Sequence, residues 1–553
     1  MFMKKYREDL EYFLKDRIYI IALICVVIIG YGYSITNFTV STDDIYGERY
    51  VGSGNNMLAA GRFGMVFWSK IFGYGSEWIY NSFAIDIIAV ILFMWAVVNY
   101  CILFRRIAKE KMNRTAYLVF SCILVSYSLI NEIWEYTTAN LSVCAGYFCV
   151  SMVLLIIWEQ LHSKLQIWRM LAAVFLLMLV SASYESLVVV YVFLVFALLA
   201  LESLCTEETV NLRDGIRQGS IYAGALLSGI FLRFIVHRLL LLIFHLQKTG
   251  NGATNIIWGS VKFGENLKHL AQDIVHQYIG KGILYLPIAE FAICILIFFI
   301  LSCLLFVKKR NWLGTVCAVG MLFSPLLLSI LQGTCTPYRA CQVFGVFVAF
   351  TLMLLVYLLQ KENGNIRKRI YPIVVGFCSL LCIRQAVDLN YFLTLNHLRS
   401  EEEATVIRNI SLELEENFDL GKPIVFTGRY ELSEEILRAV SVPQDSFRWR
   451  LFSKFNSCLF GKSYEQIYEN YYWFWRKIPT TNVNSVLSWA GDGNSQLEIA
   501  MPKLFQYYGF HYNVADYGEK MQKATQYIEE NNIPGYPKSG YIVDMGEYII
   551  VNF

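Results

Sequence analysis

From Ile18 to about residue 388 the chain is a succession of apolar runs, most of them close to the length a helix needs to cross a bilayer. A crossing helix needs about 20 predominantly apolar residues, fewer where the bilayer thins or flanking residues snorkel. Candidate spans lie near 18–38, 79–104, 115–131, 141–158, 169–184, 186–201, 219–244, 283–306, 313–331, 342–360 and 370–388. The expected fold is an α-helical polytopic membrane protein with about eleven spans over residues 1–389, followed by a soluble α/β domain over 390–553. Composition agrees: 56% of residues are hydrophobic and 16% charged, against about 25% charged in soluble domains.

Basic residues set the expected orientation, because short loops rich in Lys and Arg stay on the cytoplasmic side. Lys4, Lys5, Arg7, Lys15 and Arg17 precede the first span, and no small-residue cleavage pattern follows it, so it reads as a retained span. Arg105-Arg106-Ile107-Ala108-Lys109, Arg213, Arg217, Lys308-Lys309-Arg310 and Arg367-Lys368-Arg369 fall on that same side, whereas the loops 131–140 and 183–186 hold no Lys or Arg. The N-terminus is therefore expected in the cytoplasm and the C-terminal domain outside. The short run near 169–184 is the weak link: were it re-entrant, every later orientation would flip. Two outer loops are long, about 39–78 and 246–282, and the second contains an amphipathic stretch, Val261 to Leu267, suited to the membrane surface.

The net charge of +3 is too small to point to nucleic acid. Most of the fourteen cysteines lie inside apolar runs, as Cys25, Cys144, Cys294 and Cys378 do, and read as small core residues. Cys335 and Cys341 flank one short loop and could pair; no Cys/His grouping suggests zinc. In the soluble domain Ser400 and Glu403 form a capping-box pattern before a helix to about Phe418, and Gly421-Lys422-Pro423 breaks it. Ile424–Thr427 reads as a buried strand, 464–477 and 514–530 as helices, and Tyr541–Val543 with Tyr548–Val551 as a closing hairpin about Met545-Gly546.

Several residues carry possible chemistry. Asp43 and Asp44 stand where the chain leaves the first span. A carboxylate at a low-dielectric boundary has a raised pKa and can act as a general base near neutral pH; the alternative is a solvated helix end. Gly61-Arg62-Phe63-Gly64 follows in the same loop, where an arginine fork can hold a phosphate or anchor at a lipid headgroup. Glu132, Trp134, Glu135 and Tyr136 place aromatics beside carboxylates in a loop without basic residues, as a sugar site does, and equally as a membrane-interface aromatic belt does. Tyr184-Glu185-Ser186 is a tight link between two spans, and its glutamate is either solvated or turned into a cavity. Gln332, Tyr338 and Arg339 belong to another short outer loop, with Arg339 either on a phosphate or at the interface. Arg233 and His237, at i and i+4 on one helix face beside Arg238, lie within an apolar run, where charges face a cavity or partner unless they snorkel. No GxSxG, phosphate-binding loop, GxGxxG or HExxH pattern occurs, which argues against hydrolase, ATPase, dinucleotide and zinc-protease readings.

A first span followed by Asp43-Asp44 and then Gly61-Arg62 resembles the bacterial glucosyl transferase II family of serotype-converting glucosyltransferases. Tyr184-Glu185-Ser186 resembles its mid-chain Tyr-Gln-Ser-like segment, with Glu in place of Gln, and Thr336-Pro337-Tyr338-Arg339-Ala340 its late Pro-Arg loop. The segment from Arg384 to Ile410 and the closing Tyr536-Pro537 with its hairpin also fit. The resemblance implies a GT-C-type membrane glycosyltransferase in a bacterial plasma membrane. Such an enzyme moves a sugar, here glucose, from a polyprenyl phosphate to an envelope glycan on the outer face. It implies Asp43 or Asp44 as the catalytic carboxylate and Arg62 and Arg339 as donor-phosphate ligands. The implied partners are membrane lipid, the lipid-linked sugar and the glycan acceptor. No cofactor is implied, although adjacent aspartates permit a divalent metal. The other readings are a lipid-linked glycan transporter or flippase and a non-catalytic envelope assembly protein. A transporter would place its polar residues at mid-membrane on broken helices, whereas these candidates cluster at helix ends.

Overall fold

The computed structural model describes residues 2–41, 55–72, 82–134, 136–205, 212–248, 262–275, 284–308, 310–361, 365–439, 446–461, 497–513 and 518–553, with a few isolated positions between them. Helices of ten residues or more run in the order α1 (Phe2–Leu14), α2 (Arg17–Thr36), α3 (Phe63–Phe72), α4 (Ser82–Ala108), α5 (Arg114–Ser126) and α6 (Thr137–Leu161). They continue with α7 (Ile167–Ser183), α8 (Leu187–Cys205), α9 (Leu212–Ile243), α10 (Phe263–Val275), α11 (Leu286–Ser302) and α12 (Trp312–Phe323). The last are α13 (Val343–Lys361), α14 (Asn365–Asn417), α15 (Phe447–Phe460), α16 (Leu497–Tyr507) and α17 (Glu519–Asn531).

Among the described residues ten helical segments are apolar and long enough to cross a membrane, which makes this a polytopic helical membrane protein. The eleventh expected span is α7, a 17-residue helix about 25 Å long at ~1.5 Å per residue. It packs between α6 and α9. Its last residue, Ser183, accepts a hydrogen bond from Trp68 Nε1 of α3, and Tyr136, just before α6, packs on Met65 of the same helix. The end of α7 therefore lies beside the start of α6, and the two helices run antiparallel.

The bundle has two distinguishable ends. One carries α1 and the arginines of α4, and is called the basic end below. Short polar residues there start the helices: Asp16, Asn113 and Asn311 accept from Tyr19 N, Ala116 N and Gly314 N, capping α2, α5 and α12. Arg105 and Arg106 hold α1 through Asp9, and Arg106 also reaches Glu159 of α6.

The C-terminal part grows out of the bundle at the opposite end. α14 is continuous for 53 residues, so the boundary expected near Asn390 lies inside a helix. The helix start expected at Ser400 is corrected by the same observation. Ala386, Leu389 and Leu393 keep the buried period going, no glycine or proline interrupts it there, and Ser400 and Glu403 bond to other segments instead of capping. Val406, Ile407, Ile410 and Leu414 at its far end form one core with Ile424, Phe426, Ile549 and Val551. The sheet has the order β1 (Ile424–Thr427), β3 (Ile549–Asn552), β2 (Ile542–Asp544): β1 is parallel to β3, and β2–β3 is the closing hairpin. The helix expected over 464–477 lies outside the described residues for most of its length, and that over 514–530 is α17. No disulfide joins Cys335 to Cys341.

Candidate active site

The clearest polar cluster is built by three segments far apart in sequence. The short helix Asn55–Ala59 ends in a Schellman turn, with Gly61 N bonded to Leu58 O and Arg62 N to Met57 O. Gly61 takes φ 76°, the left-handed conformation that glycine adopts without strain. Its carbonyl accepts from Arg233 Nε at 3.3 Å and Nη2 at 3.2 Å. Three residues on, a Cβ on Gly64 would lie 2.6 Å from Ser183 N, so this glycine serves close packing of α3 on the end of α7. Both glycines of the Gly-Arg-Phe-Gly segment thus fix how Arg62 is presented.

Arg62 Nη2 lies 3.3 Å from Glu185 Oε2, and Arg233 Nη2 lies 2.8 Å from Glu185 Oε1. The Arg62 guanidinium also sits 5.1 Å from the centroid of the Tyr184 ring, a cation–π distance. His237, one turn along α9 from Arg233, meets Ala59 O at 3.3 Å. Burial pushes the Glu185 carboxyl up in pKa, and the Arg62 and Arg233 guanidiniums more than offset it, holding the group below the ordinary glutamate value. It is a standing carboxylate between two cations.

The next residue extends the site. Ser186 Oγ donates to Gln342 Oε1, and Gln342 Nε2 donates to Arg339 O at 2.6 Å. Tyr147 Oη donates to the Gln342 carbonyl at 3.0 Å. Arg339 and Gln342 line a small pocket whose other walls, including Phe93, Tyr127 and Tyr147, are mostly apolar and aromatic. Tyr338 packs on the Tyr285 ring at 5.5 Å. The Tyr285 hydroxyl accepts from Asn131 Nδ2 at 3.1 Å and lies 3.5 Å from Glu132 Oε1, which is buried.

Of the residues singled out from sequence, Arg62, Glu185 and Arg233 meet directly, and Arg339 joins them through Ser186 and Gln342. Glu132 and Tyr338 share Tyr285. Trp134 packs into the bundle, its Nε1 donating to Ser34 Oγ at 3.1 Å and its ring 4.6 Å from that of Tyr31. Tyr136 is buried against Met57 and Met65 and supports the segment that carries Arg62. Gln332 ends a short helix capped by Gly333 and is mostly buried. Asp43, Asp44 and Glu135 lie outside the described residues. The sequence reading gives no role to Gln342, Ser186 or Tyr285. Gln342 opens an apolar run and Tyr285 stands two residues before Pro287, positions with no chemical signature of their own. Among the described residues no three His, Cys, Asp or Glu side chains gather where they could hold a metal.

No curated protein and no solved structure matches the chain. The family described as Glucosyl transferase GtrII matches it over residues 32–356. That stretch is more than half of the chain and contains every residue of the cluster. The chain belongs to the glucosyl transferase GtrII family.

Proposed function

We propose that this glucosyltransferase takes glucose from a polyprenyl-phosphate donor and adds it to a cell-envelope glycan at the outer face of a bacterial plasma membrane, on a GT-C-type scaffold. The observation that carries the reading is the convergence of Arg62 and Arg233 on Glu185 at the end of the bundle opposite the basic loops. Basic loops favour the cytoplasmic side, so this end would face outward, where no nucleotide donor is needed.

In the proposed reaction an acceptor hydroxyl oxygen attacks the anomeric carbon. The bond from that carbon to the phosphate oxygen breaks, and polyprenyl phosphate leaves with one more negative charge. Arg62 and Arg233 face that developing charge, with Glu185 holding them in register when the phosphate is absent; such preorganised donors stabilise the transition state more than the ground state. Arg339 approaches the donor from across the Gln342 bridge, and the Glu132–Tyr285–Tyr338 group offers hydroxyl partners to a sugar. One of Asp43 and Asp44 takes the acceptor proton.

The test is transfer from synthetic polyprenyl-phosphate glucose to the native envelope glycan by the full-length protein in membranes; a wild-type protein that fails to transfer ends the reading. One of Asp43→Asn and Asp44→Asn should lose at least about a hundredfold in rate, and near-normal turnover in both would remove the carboxylate base. Arg62→Lys keeps the charge but not the fork and should be impaired; full activity in both Arg62→Lys and Arg62→Ala rules out phosphate binding there. A reporter fused after Phe553 should report an extracytoplasmic position, and a cytoplasmic signal would overturn the side assignment.

A further inference from the structure

The chain leaving α2 is tied down before it reaches Asp43. Val40 is a member of the C-terminal core, packed with Val406, Ile410 and Phe426, and Ser41 is fully buried. Both backbone polar groups of Val40 bond to side chains of α14: its N–H donates to Ser400 Oγ at 3.4 Å, and its carbonyl accepts from Arg399 Nη2 at 2.5 Å. Arg399 is 0% exposed. Its fork also reaches Asn396 Oδ1, at 3.0 Å from Nε and 2.8 Å from Nη2, and Glu403 Oε2, at 2.7 Å from Nη1. The other oxygen of Glu403 accepts from Ser485 Oγ at 2.8 Å and Leu487 N at 3.1 Å.

A sealed ion pair is weak evidence for stability, because well-packed apolar residues of similar volume often hold a fold equally well. What an apolar pair cannot do is bond a backbone carbonyl and fix its direction. We infer that Arg399, with Glu403, is a positioning residue for the transfer reaction: it clamps Val40 and so sets the point and direction from which the Asp43-Asp44 segment departs. The inference rests on the reading that this segment carries the base. Three residues reach at most about 10 Å, so an anchor at Val40 restricts where Asp43 can be. Misplacing a catalytic group by about 1 Å can cost on the order of a hundredfold in rate. The C-terminal domain thereby acquires a role: through Ser485 and Leu487 it completes the clamp.

The experiment uses full-length protein purified in detergent, with turnover expressed per folded molecule. Amide hydrogen exchange at Val40 and Ser41 is measured alongside. Arg399→Lys retains the charge and loses the planar fork; Glu403→Gln loses the charge that orients it. Both should lower kcat at least about tenfold, leave KM for polyprenyl-phosphate glucose within about twofold, and accelerate exchange at Val40. Wild-type kcat in both variants, or unaltered exchange, overturns the inference. Should either variant fail to fold, Ser400→Ala removes the bond to Val40 N together with the Ser400–Tyr508 hydrogen bond, and Tyr508→Phe removes the latter alone. Faster exchange with a lower kcat in Ser400→Ala but not in Tyr508→Phe then supports the clamp, and no change in Ser400→Ala, or equal changes in both, overturns it. Lys422→Ala, which breaks an exposed ion pair to Asp544 in the same domain, should alter neither quantity. A loss equal to that of Arg399→Lys would mean general loosening of the domain and would also overturn the inference. If the wild-type protein does not transfer from this donor, the functional reading falls, and exchange at Val40 still decides whether Arg399 anchors the segment.

Discussion

Two arginine–carboxylate clusters stand at opposite ends of one bundle. At the basic end Arg105 and Arg106, neighbours on α4, meet Asp9 and Glu159; the Arg106, Asp9 and Glu159 side chains are 2–10% exposed, and Arg105 at the rim is 33% exposed. At the other end, among the described residues, Arg62 and Arg233 share the carboxylate of Glu185, and all three side chains keep 15–20% of their surface. The centre of the first cluster is closed, and its work is to bind α1 to α4 and α6. The second stays within reach of incoming groups, and a phosphate oxygen can take the place of a carboxylate oxygen on a guanidinium without unfolding anything. Similar chemistry thus serves assembly at one end and, on the proposed reading, recognition at the other; the exposure of the paired core, Arg106 with its two carboxylates against Arg62, Arg233 and Glu185, distinguishes the two.

The comparison is broken most directly at Arg106. Arg106→Ala leaves the buried Glu159 without its cation and Asp9 with Arg105 alone, and removing one partner of such a pair costs about 3–5 kcal/mol. Unfolding in detergent should show that loss, while activity per folded molecule stays at the wild-type level. A fall in specific activity without a fall in stability would erase the distinction between the two ends.

Arg233→Ala should do the reverse. Loss of one transition-state donor costs about 10²-fold in rate, and stability should fall by much less than in Arg106→Ala because the site is partly hydrated. Arg233→Lys should recover only part of the rate, since an ammonium cannot bond Gly61 O and Glu185 with the same fork. Complete recovery would reduce the site to a point charge.

Glu185→Gln sharpens the role of the shared carboxylate. Hydrogen bonds to charged groups are worth about 1.5–3 kcal/mol, so stability should drop by about that or less, with a rate loss smaller than that of Arg233→Ala. Because the Glu185 carboxyl is held below its ordinary value, the stabilisation it contributes is fully present above the unfolded-state pKa of about 4.3. It is lost as the pH falls through the lower folded-state value. Above about pH 5.5 Glu185 therefore adds no titration step, and wild type and Glu185→Gln should share the shape of their pH–rate profiles there. A displaced acid limb in the variant would make Glu185 itself the titrating base.

The smallest expected effect is that of chelation. On the proposed reading two guanidiniums face the donor phosphate, so EDTA should leave the rate unchanged; a loss restored by added divalent metal would move charge neutralisation from the arginines to a cation.

Much of the architecture is legible in the amino-acid order. Span positions follow from apolar run length, because the bilayer imposes one thickness on every crossing helix. The Ile424–Thr427 strand and the closing hairpin follow from short β-rich runs around turn residues. The helix start expected at Ser400 fails because a capping box is a local pattern. Whether it caps depends on the backbone before it, and there the buried period of Ala386, Leu389 and Leu393 carries the helix through. Ser400 and Glu403 are spent instead on Val40, Ser485 and Leu487, partners that no local pattern can name.

For the site, the sequence by itself determined which residues had chemistry to offer: Arg62 between two glycines, Glu185 in a tight link, Arg233 inside an apolar run, each costly enough in or near a membrane to need a reason. It also determined the family, through motifs spread over most of the bundle. Only the tertiary structure decided that Arg62, Glu185 and Arg233 form one cluster, that Gln342 joins it to Arg339, that Trp134 is packing, and that Arg399 grips the chain ahead of the aspartates. The physical reason is the separation along the chain: residues 62, 185 and 233 lie more than a hundred and nearly fifty positions apart. Helix periodicity relates residues three or four apart, and which helix faces meet is settled only by packing of the whole bundle.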